Sequence, residues 1–334
     1  MKKNSRAAQE DTATNKISLA FAMTHTPGLS DRLQDAPASQ VANIMDAMGI
    51  VRSQIEQSRP DVMIALINDH FDMFSLRNLP TFAIGVSDHH FGPPEHSQDW
   101  IQMKRTKHPG AEPYARTILA DAIEQDFDIT RVASCEFNHN VLLPKKYLWP
   151  TMDIPIVPVF INCFCRPLPS WRRCYELGQV IRRSIASRPE KVAIMASGGI
   201  SHWPPFVDEE EAISGENELS KRILRWQAMG PEALLSDPQV SKDLLAREKE
   251  LASSNRELIN IGWDEWFLSS MASGDHEAIL SLDKESIHKD GGNGGYEMAM
   301  WVCLMGIMSS APCRTLVYEP VKEWMGGVGV ITYS

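Results

Sequence analysis

Short, continuous apolar runs alternate along the chain with longer amphipathic stretches. The runs at 17–23 (ISLAFAM), 61–67 (DVMIALI), 81–86 (TFAIGV), 154–161 (IPIVPVFI), 191–196 (KVAIMA) and 327–333 (GVGVITY) predict strands. They are rich in Val and Ile and too short for buried helices. Between them, residues 38–58 place Val41, Ile44, Met45, Met48, Val51 and Ile55 near a 3.6-residue period, which predicts a helix. Further helices are expected over 111–125, 171–187, 216–228, 241–272 (with a break) and 294–309. Strands alternating with helices predict an α/β fold: one domain, with a mostly parallel central sheet flanked by helices. The active site of such a fold is expected at the carboxyl ends of the strands. No repeat or linker divides the chain. The organisation expected is a polar N-terminal tail, 1–16, followed by one catalytic domain, 17–334.

Composition narrows the class of function. The chain has 334 residues and a formal net charge of −10, which argues against nucleic acid as a partner. No apolar run reaches the roughly 20 residues of a membrane helix. The first residues, MKKNSRAAQEDTATNK, lack the apolar core of a secretory signal. The six cysteines are scattered, without zinc-ribbon spacing, and read as buried reduced thiols. A cytoplasmic protein is expected.

The histidines carry the chemistry. His25 (MTHTPGL), His70 (ALINDHF) and His202 (IMASGGISHWPP) each follow a predicted strand, so all three reach the sheet edge where ligands bind. One histidine after a strand is most often an ordinary loop residue. Three together, each beside turn-forming residues, point to a site. Asn68 and Asp69 are placed to orient the His70 ring, the usual support of a metal-binding imidazole. His139, in EFNHNVLLP, is a fourth candidate. His89, His90 and His96 read as a solvated surface loop. Two histidines and a carboxylate leave one face of a metal open, the arrangement that suits iron(II) and O2. Glu218, Glu248, Glu250 and Glu257 are all candidates for that carboxylate, and spacing does not choose among them.

These motifs, in this order, resemble the class III extradiol dioxygenases, the family of the catalytic beta subunit of protocatechuate 4,5-dioxygenase. The resemblance covers most of the chain after the tail. It is carried by HTPGL at 25–29, RPDVMIALINDHFDMFSLRNLPTFAIGV at 59–86, EFNHNVLLP at 136–144 and SGGISHWP at 197–204. It implies Fe(2+) held by His25, His70 and Glu257, the last in SSNRELINIGW, with Glu250 or Glu248 in its place if the alignment slips. It implies His202 as acid/base and His139 as a hydrogen-bonding partner of substrate or oxygen. The implied reaction is extradiol cleavage of a catechol with O2. HKDGGNGGYEM at 288–298 departs from the family pattern, so the ring substituents recognised are expected to differ.

Met73, Phe74, Trp149, Trp203 and Phe206 suggest a bulky ring. The expected substrate is therefore a lignin-derived biphenyl catechol such as hydroxylated 5,5'-dehydrodivanillate, then 3-O-methylgallate, gallate or protocatechuate. A homo-oligomer, simplest as a dimer, is expected because no separate lid subunit is recognisable. Two other readings compete: a zinc-dependent hydrolase on the same ligands, and a non-enzymatic interaction protein that has lost the metal.

Overall fold

The computed structural model describes residues 13–205, 218–237 and 239–333. Its centre is an eight-stranded sheet in the order β6-β3-β7-β2-β8-β1-β10-β9. These strands are β1 (Ile17–Met23), β2 (Val62–Ile67), β3 (Phe82–Gly85), β6 (Thr130–Val132), β7 (Ile156–Ile161), β8 (Val192–Ser197), β9 (Arg314–Val321) and β10 (Gly326–Tyr333). The four middle strands, β7, β2, β8 and β1, run parallel. β3 and β10 join them antiparallel on either side. β2, β7 and β8 are buried at every position. That explains their unbroken apolar runs: both faces are covered, so no polar alternation is needed.

The period of two along a strand sorts side chains into two cores. Ala20 and Ala22 of β1, with Ile64 and Leu66 of β2, join a core built with α2 (Glu112–Glu124), α4 (Trp171–Ala186), α7 (Ile261–Ser273) and α8 (Ala299–Ile307). Phe21 and Met23, with Met63 and Ile67, point the other way, toward α1 (Ala38–Ser58) and α3 (His139–Leu148). The result is helix, sheet, helix. α8 is buried throughout, which is why it carries no amphipathic signal.

A smaller satellite core packs Phe71 against Ile223 and Trp226 of α5 (Glu218–Met229) and Val240 of α6 (Gln239–Ala252). These helices cover the carboxyl-terminal edge of the sheet.

Several expectations need correcting. His89 and His90 do not lie in a solvated loop. They form β4 (His89–Gly92), paired with β5 (Thr106–Pro109), and His90 is fully buried. His96 pairs with the buried Asp72 at 3.1 Å. Residues 1–12 of the expected tail lie outside the described residues, but Ala13 is fully buried and Arg182 of α4 donates to the Thr14 hydroxyl. All six cysteines are buried and free, as expected. Among the described residues, no helix is long and apolar enough to cross a membrane.

Candidate active site

β1 ends at Met23, where Thr24 exchanges hydrogen bonds with Gly329 of the neighbouring β10. The chain then turns at Pro27, leaving His25 just beyond the sheet edge. β2 ends at Ile67, and Asn140 of α3 holds the Asn68 carbonyl, which sets His70 beside it. His139 is the first residue of α3, whose N-terminus is capped by the Asn138 side chain. His202 follows β8 through Gly198 and Gly199. One ligand atom from each of His25, His70 and His139 falls within 4.8 Å of the others.

The carboxylate beside them is Glu297, in the short 3-10 turn Gly295–Met298 that leads into α8. Its oxygens lie 3.4 Å from His25 Nε2, 3.6 Å from His70 Nε2 and 3.8 Å from His202 Nε2. Asn68 Nδ2 donates to Glu297 Oε1 at 3.2 Å, and the Gly199 N–H donates to Oε2 at 2.5 Å. Glu257 does not reach this site. It is exposed, in the segment between α6 and α7. Glu248 pairs with Arg32, Glu250 with Arg247 and Glu218 with Lys221. Glu297 is followed by Met298 and sits in a 3-10 turn, so a glutamate–leucine pair on an amphipathic helix does not describe it. The available signal was its setting: YEMAMWV embeds one acid in an apolar run, and a buried acid requires partners.

Hydrogen bonds assign the tautomers. Ser197 Oγ donates to the Asn140 carbonyl at 2.6 Å, so it accepts from His25 Nδ1 at 2.9 Å. His25 Nε2 therefore carries a lone pair, and it faces a carboxylate oxygen. Two such atoms in a buried site repel unless a cation lies between them. The donor set of two imidazoles and a carboxylate fits a divalent metal. His70 Nδ1 is buried without a hydrogen-bond partner. His202 Nδ1 donates to the Ile200 carbonyl at 2.7 Å, so Nε2 is the nitrogen that faces Glu297. Its ring is gripped by glycines: a Cβ on Gly199 or on Gly294 would each come within 2.3 Å of it. The glycine turn seen in the sequence is thus a steric requirement of the ring.

Burial pushes the His25 pKa down to about 4 against the attraction of Glu297, and depresses His139 well below its ordinary value. Burial would raise Glu297, but His25, His202 and His70 hold it well below the usual carboxylate range. For His202 the balance reverses. Burial opposes its charge, yet the hydrogen bond and charge of Glu297 raise its pKa. Asp69 does not orient His70 as expected. It accepts from the Met73 and Phe74 backbone instead, and burial beside Asp72 lifts it to about 7.

The five groups open onto a cavity of about 550 Å³. Trp100, Trp226 and Trp324 line it. The aromatics expected from the sequence do not. Trp149 and Phe74 pack in the core, Met73 packs against it, and Trp203 packs beside Leu251 and Met325. Phe206 lies outside the described residues.

Residues 19–329 match the family model described as the catalytic LigB subunit of aromatic ring-opening dioxygenase. A 2,3-dihydroxyphenylpropionate/2,3-dihydroxicinnamic acid 1,2-dioxygenase from Burkholderia vietnamiensis is 29% identical over 314 residues, covering 92% of this chain and 95% of that protein. A protein of the same name from Photorhabdus laumondii is 26% identical over 321 residues, with the same coverage. The fold is similar to that of the uncharacterized protein JW3007 from Escherichia coli K12, with a TM-score of 0.51 at 11% identity. That match covers 95% of this chain and 100% of the other.

Proposed function

The chain belongs to the LigB family of aromatic ring-opening dioxygenases and is an extradiol enzyme of catechols; from that premise we propose that it works with Fe(2+) held by His25, His70 and Glu297. The observation that carries this reading is the approach of one buried carboxylate to both Nε2 atoms, at 3.4 and 3.6 Å. Two histidines and one carboxylate leave positions for both substrate and O2, the usual pattern of non-haem iron oxygenases. When bound, the ion lowers the pKa of a coordinated catechol hydroxyl and brings it next to O2.

The chain's own residues manage the protons. His202 Nε2, left basic by the Ile200 bond, takes the proton of the second hydroxyl and later returns it to the opened ring. Glu297 stabilises the imidazolium between those events. His139, tilted against His70 with ring centroids 4.1 Å apart, stays neutral and hydrogen-bonds the substrate. Trp100, Trp226 and Trp324 give the cavity apolar wall for an aromatic ring.

The substrate we propose is a catechol with a short acidic side chain, as in the printed names of the relatives. Phe74, Trp149 and Trp203, on which biphenyl catechols and 3-O-methylgallate partly rested, lie away from the cavity, so those compounds become comparison substrates. The test is anaerobic loading with Fe(II), then O2 uptake with 3-(2,3-dihydroxyphenyl)propionate, hydroxylated dehydrodivanillate, 3-O-methylgallate, gallate and protocatechuate. Yellow ring-fission product from the first, with stoichiometric O2 uptake, is expected. Iron-loaded protein that consumes no O2 with any of them would overturn the reading and favour zinc on the same ligands.

A further inference from the structure

Among the described residues Arg32 is the only arginine lining the active-site cavity, and its side chain is nine-tenths buried. A buried guanidinium presents five N–H donors, and leaving them unmatched is costly. Its one side-chain hydrogen bond runs from Nη2 to Glu248 of α6, at 3.2 Å. Most of its donors are therefore unmatched by protein. Its backbone is well fixed: the Arg32 carbonyl accepts from Trp324 Nε1 at 3.0 Å. The short helix Gly28–Asp31 connects it directly to the His25 segment. Arg32 and the histidines line one and the same cavity.

The geometry points to Arg32 as the residue that binds the carboxylate of the substrate's side chain, with Glu248 as its partner in the empty cavity. This rests on the extradiol reading above. The planar fork of arginine matches a carboxylate through two parallel N–H bonds; Glu248 takes one of the two Nη2 protons, and the other, paired with Nε or with Nη1, leaves one such edge available. Glu248 supports the assignment from its own side. Burial raises its pKa against the pull of Arg32, and it reaches the guanidinium through a single bond to Nη2. Lys242 and Lys249 of α6 also line the cavity, as do Asp31 and Asp35. A catechol seated at the histidines would extend its acidic side chain toward this wall. Two otherwise separate parts of the fold, the loop after β1 and α6, would then close on the same group.

The test compares 3-(2,3-dihydroxyphenyl)propionate with its neutral amide on the iron-loaded enzyme. Wild type is expected to favour the acid by at least about tenfold in kcat/KM. Arg32→Met should lower kcat/KM for the acid by roughly 10- to 100-fold, the size of a charged hydrogen bond, and shift the amide far less. An equal loss for both substrates would make Arg32 merely structural and overturn the assignment. So would a wild type that cleaves both equally well, while leaving the extradiol reading intact. Cleavage of neither, with another catechol still cleaved, would overturn the acidic side chain as the recognised group and this assignment with it, while leaving the extradiol reading intact. If Arg32→Met does not fold, Glu248→Gln decides: it weakens the internal partner and should lower KM for the acid but not for the amide. An unchanged KM ratio overturns the proposal.

Discussion

Two groups of histidines sit in this molecule, and they have opposite fates. His25, His70, His139 and His202 come from four separate segments and converge on Glu297. His90 and His108 face each other across the β4–β5 hairpin, packed on either side of Phe137. Both groups are buried, and burial lowers the pKa of both hairpin rings, His90 to about 4. The difference lies in what the ring nitrogens meet. His90 Nδ1 accepts from the Cys135 N–H at 3.1 Å, and His108 Nε2 donates to the Gly92 carbonyl at 3.3 Å. Those imidazoles act as struts for the backbone. At the other site the Nε2 atoms of His25, His70 and His202 all face one buried carboxylate. A cluster of histidines becomes a site when a buried charge needs them.

The sharpest way to break the comparison is to remove that charge. Glu297→Gln keeps the shape and removes the anion. It should reduce bound iron to background and abolish turnover, read by metal analysis of anaerobically purified protein and by O2 uptake. An iron-replete, active variant would return the hairpin and the site to equal footing. His202→Phe comes next. It should keep its iron and lose roughly 10²–10⁴-fold in kcat, the usual worth of general acid–base catalysis. Loss of iron instead would make His202 a ligand.

The same contrast explains what could be read in the sequence. β1 and α1 match their expected bounds because each follows one uniform rule, a seven-residue apolar run and a long amphipathic period. α3 went unpredicted. Pro144 lies inside it and argues against a helix locally, but burial of residues 139–145 outweighs that cost. β9 was missed for the opposite reason: it is a half-exposed edge strand with no continuous apolar run. In the site, four histidines were legible because each follows a strand or opens an apolar segment. Glu297 was not, because its signal is tertiary. Asp264 is a similar case. Fully buried, it accepts from the Ser201 N–H and the Tyr318 hydroxyl, fixing the turn that carries His202, and burial lifts its pKa to about 6. Nothing local in WDEWF marks that role.

A smaller effect sharpens the comparison from inside the site. Ser197→Ala removes the acceptor of His25 Nδ1–H and frees the ring to flip. Groups that orient a metal ligand are worth about 10–100-fold in metal affinity. The variant should therefore need more Fe(II) for half-saturation, yet reach near-normal kcat once loaded. A fall in kcat at saturating iron would mean that Ser197 does more than orient the ring.

The smallest effect on activity belongs to the hairpin. His90→Phe keeps an aromatic ring against Phe137 but leaves the buried Cys135 N–H without its acceptor. The expected cost at pH 8 is about 1–3 kcal/mol of stability, with kcat per iron unchanged. The sign of its pH dependence follows from the depressed pKa. A histidine at about 4 in the folded chain, against 6.5 ordinarily, contributes fully above 6.5 and loses that contribution as pH falls toward 4. The full loss amounts to about 3 kcal/mol. Wild type should therefore surrender its advantage over His90→Phe between pH 6.5 and 4, as followed by urea denaturation across that range. A stability difference that stays constant with pH would mean that His90 is not held neutral. The hairpin would then no longer be the uncharged counterpart of the site. A drop in kcat at pH 8 would be more damaging still, because it would place a backbone strut among the groups that handle substrate.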